Sequence, residues 1–167
     1  IEKDGTEVLR ELLKPGEIFG ALPLLDDAPG NATEYAQAAT ETVVCTLRKK
    51  HFKQLLDKHP KMNRHLSKWY GERMQRSEER VNNMIFKDVR SRIALFLVHH
   101  AESFGRESTK GICFEATLTH EEMGLLVGAA RQTVTSVLNN FRQKDIIEFD
   151  RRSCCIKNKA ALREIAG

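Results

Sequence analysis

Residues 119–141, THEEMGLLVGAARQTVTSVLNNF, read as two short helices joined at a glycine, and no other segment of the chain restricts the fold as strongly. Thr119 can cap the first helix, and Glu122 can reach back to it as a capping box. Met123, Leu126 and Val127 share one helical face. Gly128 falls where the chain must turn sharply, at a φ that a Cβ disfavours. A second helix is expected from near Ala130. Val134, Val137, Leu138 and Phe141 form its buried stripe, and small Gly124 and Ala129 let the two helices approach closely. The opposite face, Arg131, Gln132, Thr133, Thr135, Ser136, Asn139 and Asn140, is entirely polar. Arginine can bond guanine bidentately, and glutamine or asparagine can do so to adenine, so such a face suits the DNA major groove. Arg131, Gln132, Thr135 and Ser136, in the N-terminal half of the helix, are the expected base readers. Thr119, Thr133 and Asn139 are placed on the DNA backbone. The alternative for this segment taken alone is a helical hairpin with a solvated face.

The flanks favour the first reading. Residues 145–157, DIIEFDRRSCCIK, are two β-prone runs around a polar turn that suits a hairpin, or wing, with Arg151 and Arg152 at its tip as phosphate contacts. Upstream, Asp88 can cap a helix that runs through His100, so that His99 and His100 close it near its C-terminal dipole. Residues 101–118 read as a polar loop leading into a short strand, GICFEA. Helix-turn-helix plus wing makes residues 88–167 a winged-helix domain.

The front of the chain has a different character. Residues 6–47 are short β-like stretches separated by Pro and Gly turns, which suggests a roll or sandwich. From Lys49 the period becomes helical, and after Pro60 one long helix is expected to about Phe86. Leu66, Tyr70, Met74, Val81, Met84 and Ile85 recur along it at three- and four-residue spacing, with Ser77 filling one turn. Pairing with a second copy of the chain would bury that stripe, and packing on the chain's own roll is the alternative. Charge follows the same division. Residues 1–47 carry three basic and nine acidic side chains, whereas residues 48–100 carry fourteen basic and five acidic, a block that can steer a polyanion.

Several classes find no support. Cys45, Cys113, Cys154 and Cys155 form no CxxC pair and show no ligand spacing with the histidines, so they read as cytosolic thiols and no metal site is expected. Cys154 and Cys155, adjacent in a strand, point to opposite faces, which makes one of them core. No nucleophile elbow, phosphate-cradling glycine loop or paired-carboxylate frame is present, so no catalytic residue is named and an enzyme is not expected. No apolar run approaches 18 residues and no signal-peptide pattern opens the chain, so a cytoplasmic location is expected.

In order along the chain, PGEIFG at 15–20, ATETVV at 39–44, DVRSRIA at 88–94 and LTHEEMGLLVGAARQTVTSVL at 118–138 resemble the Crp/Fnr family of bacterial transcription regulators. The resemblance implies an α+β chain in three parts. These are a partial β-roll of the cyclic-nucleotide-binding, jelly-roll type over 1–59, a long dimerisation helix over 60–87, and a C-terminal winged helix-turn-helix over 88–167. It also implies a homodimer on palindromic promoter DNA, with RNA polymerase as a further partner, and roll strands preceding Ile1. Cyclic-nucleotide-binding members carry a glutamate just after the Phe-Gly step and an Arg-Ser/Thr-Ala step. Here Ala21 follows Gly20, and no arginine lies between Lys14 and Thr46. A buried cyclic phosphate would lack its bidentate partner, so cAMP is not expected in the usual pocket. Which cofactor or effector the roll takes, if any, is not legible. Gln132 stands where many members have glutamate and Ser136 where they have a later arginine, so the operator should differ from the most familiar half-site. A small-ligand module acting through protein contacts is the rival reading.

Overall fold

The computed structural model describes residue 9 and residues 11–19, 35–150 and 152–167. Two compact units are present: residues 84–167 with the described residues before 19, and the described residues of 19–83. The second unit contains α1 (Lys49–Lys58) and most of α2 (Pro60–Phe86). Of the β-like stretches expected over 6–47, those at 11–19 and 35–47 find no ladder partner among the described residues, and residues 20–34 lie outside them. A strand exists only through its neighbour's hydrogen bonds, so β-prone sequence alone does not produce one.

The long helix lies where its periodicity placed it. Its 27 residues bury no side chain fully. Met74, Val81 and Ile85 are 65%, 57% and 66% exposed, Tyr70 and Met84 are near 40%, and Leu66 is half-buried. Ser77 turns its hydroxyl onto the Arg73 carbonyl at 3.1 Å, a local bond that leaves the stripe interrupted but the helix intact.

The first unit is built around α3 (Val89–Phe104). Asp88 caps it, accepting from the Ser91 N–H at 2.7 Å. Two strands follow, β1 (Arg106–Ser108) and β2 (Gly111–Glu115), then α4 (His120–Val127), α5 (Arg131–Gln143), β3 (Ile147–Phe149), β4 (Ser153–Ile156) and α6 (Lys159–Ala166). The four strands form one antiparallel sheet in the order β1-β2-β4-β3. Phe114, Cys154, Ile156 and Ile147 face inward, onto Ile93, Leu97, Val134, Leu138, Phe141 and Leu162. Phe141, Ile93 and Leu162 retain no exposed surface. Burying a side chain of that size contributes about 1.5 to 3 kcal/mol.

Three expectations are corrected. The stretch 101–118 is not simply a polar loop. α3 continues to Phe104 because Ala101 and Phe104 extend its inward stripe, and Arg106–Ser108 becomes β1 by pairing with β2. His100 therefore does not sit at a helix end. It is buried among the rings of Phe96, Phe104 and Phe114, with centroids 4.7 to 5.4 Å away, and burial pushes its pKa down to about 4. The C-terminal α6 was not anticipated. Asn158 caps it, and it docks on α3 through Arg163 and Lys159, which meet Glu102 at 2.7 and 3.1 Å. Lys87 also donates to the Ala166 and Gly167 carbonyls that end it. Finally, the cysteines are not all thiols. Cys113 and Cys155 form a disulfide between β2 and β4, while Cys154 is free and buried and Cys45 free and exposed. Cys113 and Cys155 are 42 residues apart in sequence, too far for spacing to reveal that cross-strand neighbour.

Because the His100 ring is neutral in the folded protein, the unfolded chain takes up a proton near pH 6.5 that the folded state refuses. Stability should therefore fall as pH drops from 6.5 toward about 4. His100→Phe should make that decline shallower, as read from denaturant midpoints compared between about pH 7 and about pH 4.5.

Candidate nucleic-acid interface

The N-terminus of α4 is closed by the expected capping box. Glu122 N–H donates to Thr119 Oγ1 at 3.1 Å, and Thr119 N–H donates to Glu122 Oε2 at 2.7 Å. Its C-terminus ends at Gly128 in the left-handed region, with φ 65° and ψ 52°, where a glycine has no Cβ to crowd the backbone. The chain then folds back so tightly that a Cβ on Gly124 would lie 2.4 Å from the Ala129 carbonyl oxygen. α5 starts at Arg131 with no side-chain cap, which leaves its first N–H groups for a ligand or water.

Arg92, which the sequence reading passed over, fastens this turn to α3. Its guanidinium donates to the carbonyls of Lys87 at 2.7 Å, Val127 at 2.7 Å and Gly128 at 3.1 Å. Two of these are orphan acceptors at the end of α4, and bonds from a charged donor are worth about 1.5 to 3 kcal/mol each. Met84, read as part of the dimer stripe, also reaches this turn. Its Sδ lies 3.0 Å from where a Gly128 Cβ would sit.

α5 divides as the spacing required. Val134, Leu138 and Phe141 are buried and Val137 is half-buried, while Arg131, Gln132, Thr133 and Ser136 are exposed. Thr135 differs from its companions. It is half-buried and its hydroxyl donates to the Arg131 carbonyl at 2.9 Å. That uses its one proton, so His120 Nδ1, 2.8 Å away, is the donor to Thr135 Oγ1. Burial, and secondarily the Arg131 charge, lowers the His120 pKa. Of the expected base readers, Thr135 thus has its hydroxyl engaged within the fold. Asn139 is half-buried, and Asn140 turns its Oδ1 inward without a hydrogen-bond partner. Thr119 is exposed, but its hydroxyl is engaged with Glu122.

The wing is the β3–β4 hairpin. Asp150 shapes its turn by accepting from the N–H groups of Arg152 and Ser153 at 2.7 and 2.8 Å, and those bonds hold its carboxyl below the usual range. Arg152 is exposed at the tip, while Arg151 lies outside the described residues. The wing is tied to the helices through the Ala116 N–H, which donates to the Arg152 carbonyl at 2.9 Å. It is tied also through the Phe149 ring, which meets His120 at 6.0 Å and lies beneath Arg142 at 5.2 Å.

Comparison with known proteins agrees with this geometry. Residues 91–165 match the family model of a Crp-like helix-turn-helix domain, and residues 1–59 that of a cyclic nucleotide-binding domain. The chain is 29% identical over 159 residues to a CRP-like cAMP-activated global transcriptional regulator of Mycobacterium tuberculosis, spanning 95% of this chain and 70% of that protein. It is 24% identical over 160 residues to the global nitrogen regulator of Synechocystis, spanning 96% of this chain and 71% of that protein. Among solved structures, a CooA mutant from Carboxydothermus hydrogenoformans is similar with a TM-score of 0.66 and 31% identity, over 71% of this chain and 55% of that one.

The 2.4 Å approach at Gly124 is to backbone, which cannot swing aside. Gly124→Ala should therefore destabilise the fold by about 1 to 3 kcal/mol, seen as a lower denaturant midpoint. A midpoint equal to that of the parent protein would mean that the turn is looser than it stands here.

Proposed function

The chain belongs to the Crp/Fnr family of bacterial transcription regulators, and we propose on that premise that it works as a homodimer which binds a two-fold symmetric DNA site and responds to a signal received by its N-terminal part. The observation that carries this reading is α5, anchored by Val134, Leu138 and Phe141 and presenting Arg131, Gln132, Thr133 and Ser136 outward beside a wing that ends in Arg152. Arg131 is assigned to guanine, and Gln132 and Ser136 to neighbouring base edges. Arg152, with Arg151, Thr133 and Asn139, is assigned to phosphate. Family members are regulators rather than enzymes, and the reading here is of binding without catalysis. Among the described residues no helix is long and apolar enough to cross a membrane, and the cytoplasm with its RNA polymerase is the proposed setting.

The exposed stripe of α2 is assigned to a second copy of the chain, since Met74, Val81 and Ile85 find no covering surface among the described residues. Dimerisation would set the two recognition helices about 34 Å apart, one helical turn of DNA. A signal that changes the register of the paired helices would then alter that spacing, a shift between two populations rather than a new contact. The M. tuberculosis relative is described as cAMP-activated. Here the signal is assigned to a different effector, because the stretch between Lys14 and Thr46 has no arginine to meet a cyclic phosphate.

The test is selection from random duplex DNA at about 0.1 M salt, with and without cAMP. The expected product is one symmetric site with half-sites about 10 bp apart, enriched equally in both arms. Failure to enrich any sequence, combined with unchanged duplex affinity for Arg131→Ala, would remove the DNA-binding reading. On the selected site Arg131→Ala should cost about 1 to 3 kcal/mol and relax preference at one base pair, whereas Arg152→Ala should weaken all duplexes alike. Val81→Glu tests the dimer and avoids Met84, which touches the Gly128 turn. Sedimentation should show monomers and DNA affinity should fall, and a dimer of unchanged affinity would disprove the coupling through α2.

A further inference from the structure

β2 and β4 are the two central strands of the sheet, and in their register Cys113 stands directly opposite Cys155. The Ala116 N–H bond to the Arg152 carbonyl continues that register. Counting back along the alternation makes Phe114–Cys154 a hydrogen-bonded pair and Cys113–Cys155 a non-hydrogen-bonded one, the kind in which side chains come closest. Their sulfurs are joined. The bond lies on the face opposite the core, because Phe114 and Cys154, the neighbours of the two cysteines, both point inward. Cys113 is half-buried there, with Ser108 Oγ 3.2 Å from its sulfur, and Cys155 is covered. What the bond encloses matters more than where it lies. Its two ends are 42 residues apart, and α4, α5 and β3 all fall between them. The crosslink joins the strand that feeds the helix-turn-helix to the returning strand of the wing.

We propose that Cys113 and Cys155 are a reversible dithiol–disulfide site, oxidised by hydrogen peroxide and reduced by a dithiol, whose closed form holds the wing against the helix-turn-helix. In the forward direction the Cys113 sulfur attacks peroxide. A sulfur–oxygen bond forms, the oxygen–oxygen bond breaks, and the leaving hydroxide takes the Cys113 thiol proton to become water. The Cys155 thiol then attacks the Cys113 sulfenic acid, the sulfur–oxygen bond breaks, and the second water carries off the thiol proton. Two thiols and one peroxide thus become one disulfide and two waters, a two-electron oxidation. In reverse, one sulfur of the dithiol attacks the half-buried Cys113 and releases Cys155, and its second sulfur then resolves the mixed disulfide. Cys154 takes no part. Its thiol lies in the core, where burial and then the nearby Asp150 carboxylate push its pKa up to about 12, and it points away from its neighbour Cys155.

The consequence for DNA rests on the function proposed above. A wing held in its bound position before contact has less conformational freedom to lose, so the oxidised protein should bind the selected duplex about threefold or more tightly than the reduced one. The experiment uses the full chain after hydrogen peroxide or dithiothreitol, with three readings. Alkylation under denaturing conditions should count four reactive cysteines in the reduced protein and two after peroxide, with Cys113 and Cys155 peptides recovered as one linked species. Hydrogen exchange at Ile147–Phe149 and Ser153–Ile156 should be slower by about tenfold in the oxidised protein. The affinity difference should vanish in Cys113→Ser and persist in Cys45→Ser. Full alkylation of Cys113 and Cys155 after peroxide, a bond to another cysteine, or equal exchange in the two states would overturn the site. A mapped bond with altered exchange but equal DNA affinity would overturn the consequence for DNA alone. Altered exchange with no duplex bound in either state would leave the site standing and remove the function reading.

Discussion

Three carbonyl oxygens on one guanidinium hold the DNA-binding unit in order. Arg92 reaches from α3 to Lys87, Val127 and Gly128, so a single side chain joins the start of α3 to the end of α4. Without it the part-buried Val127 carbonyl would lose its donor, the exposed Gly128 carbonyl would be left to water, and the left-handed turn would lose its anchor. The position of α5 follows from that turn, because the bare Cα of Gly124 lets the Ala129 carbonyl come within a distance that no side chain would tolerate. The outward direction of Arg131, Gln132 and Ser136 is thus set by a cation more than thirty residues upstream.

Around this anchor, apolar burial and polar bonding serve different ends. Phe141, Val134, Leu138, Ile93 and Leu162 supply the bulk of the stabilisation, and they specify only that the helices pack on the sheet. The polar contacts choose the arrangement. His120 on α4 bonds Thr135 on α5 and meets Phe149 on the wing, so one ring links three elements. Ala116 and Arg152 pair across the β2–β4 ladder, and Asp150 closes the wing turn. His100 shows the reverse case. A titratable ring surrounded by three phenylalanines serves as an aromatic core residue, and its depressed pKa follows from having lost water without gaining an ion partner.

α2 departs from this economy of burial. Its 27 residues carry an apolar stripe and leave no side chain fully buried. Helical hydrogen bonds are local, so the helix forms in one chain without that stripe being covered. Met84 on the stripe is placed against the Gly128 turn. A residue that belongs by spacing to the dimer stripe and by contact to the helix-turn-helix is where a change in helix pairing would first be felt by α5.

The features legible in the residues alone are those whose partners lie within one turn of a helix or one hairpin. The Thr119–Glu122 box, the left-handed Gly128, the buried stripe of α5, the Asp88 cap, the wing and the span of α2 are all governed by spacings of two to four residues, and local backbone geometry is enough to derive them. The features that escaped are those whose partners are distant. Arg92 on α3, the long α3 that buries His100, β1 pairing with β2, α6 docking through Glu102, and Cys113 meeting Cys155 each depend on which elements become neighbours. Sequence spacing carries no information about such encounters, because the free energy that selects them belongs to the packed core as a whole. Residue chemistry and local period determined that this chain carries a winged helix-turn-helix behind a long helix with an apolar stripe. Tertiary structure decided which polar groups remain for DNA, since only the packed chain engages the Thr135 hydroxyl inside the fold and leaves Arg131, Gln132 and Ser136 outside it.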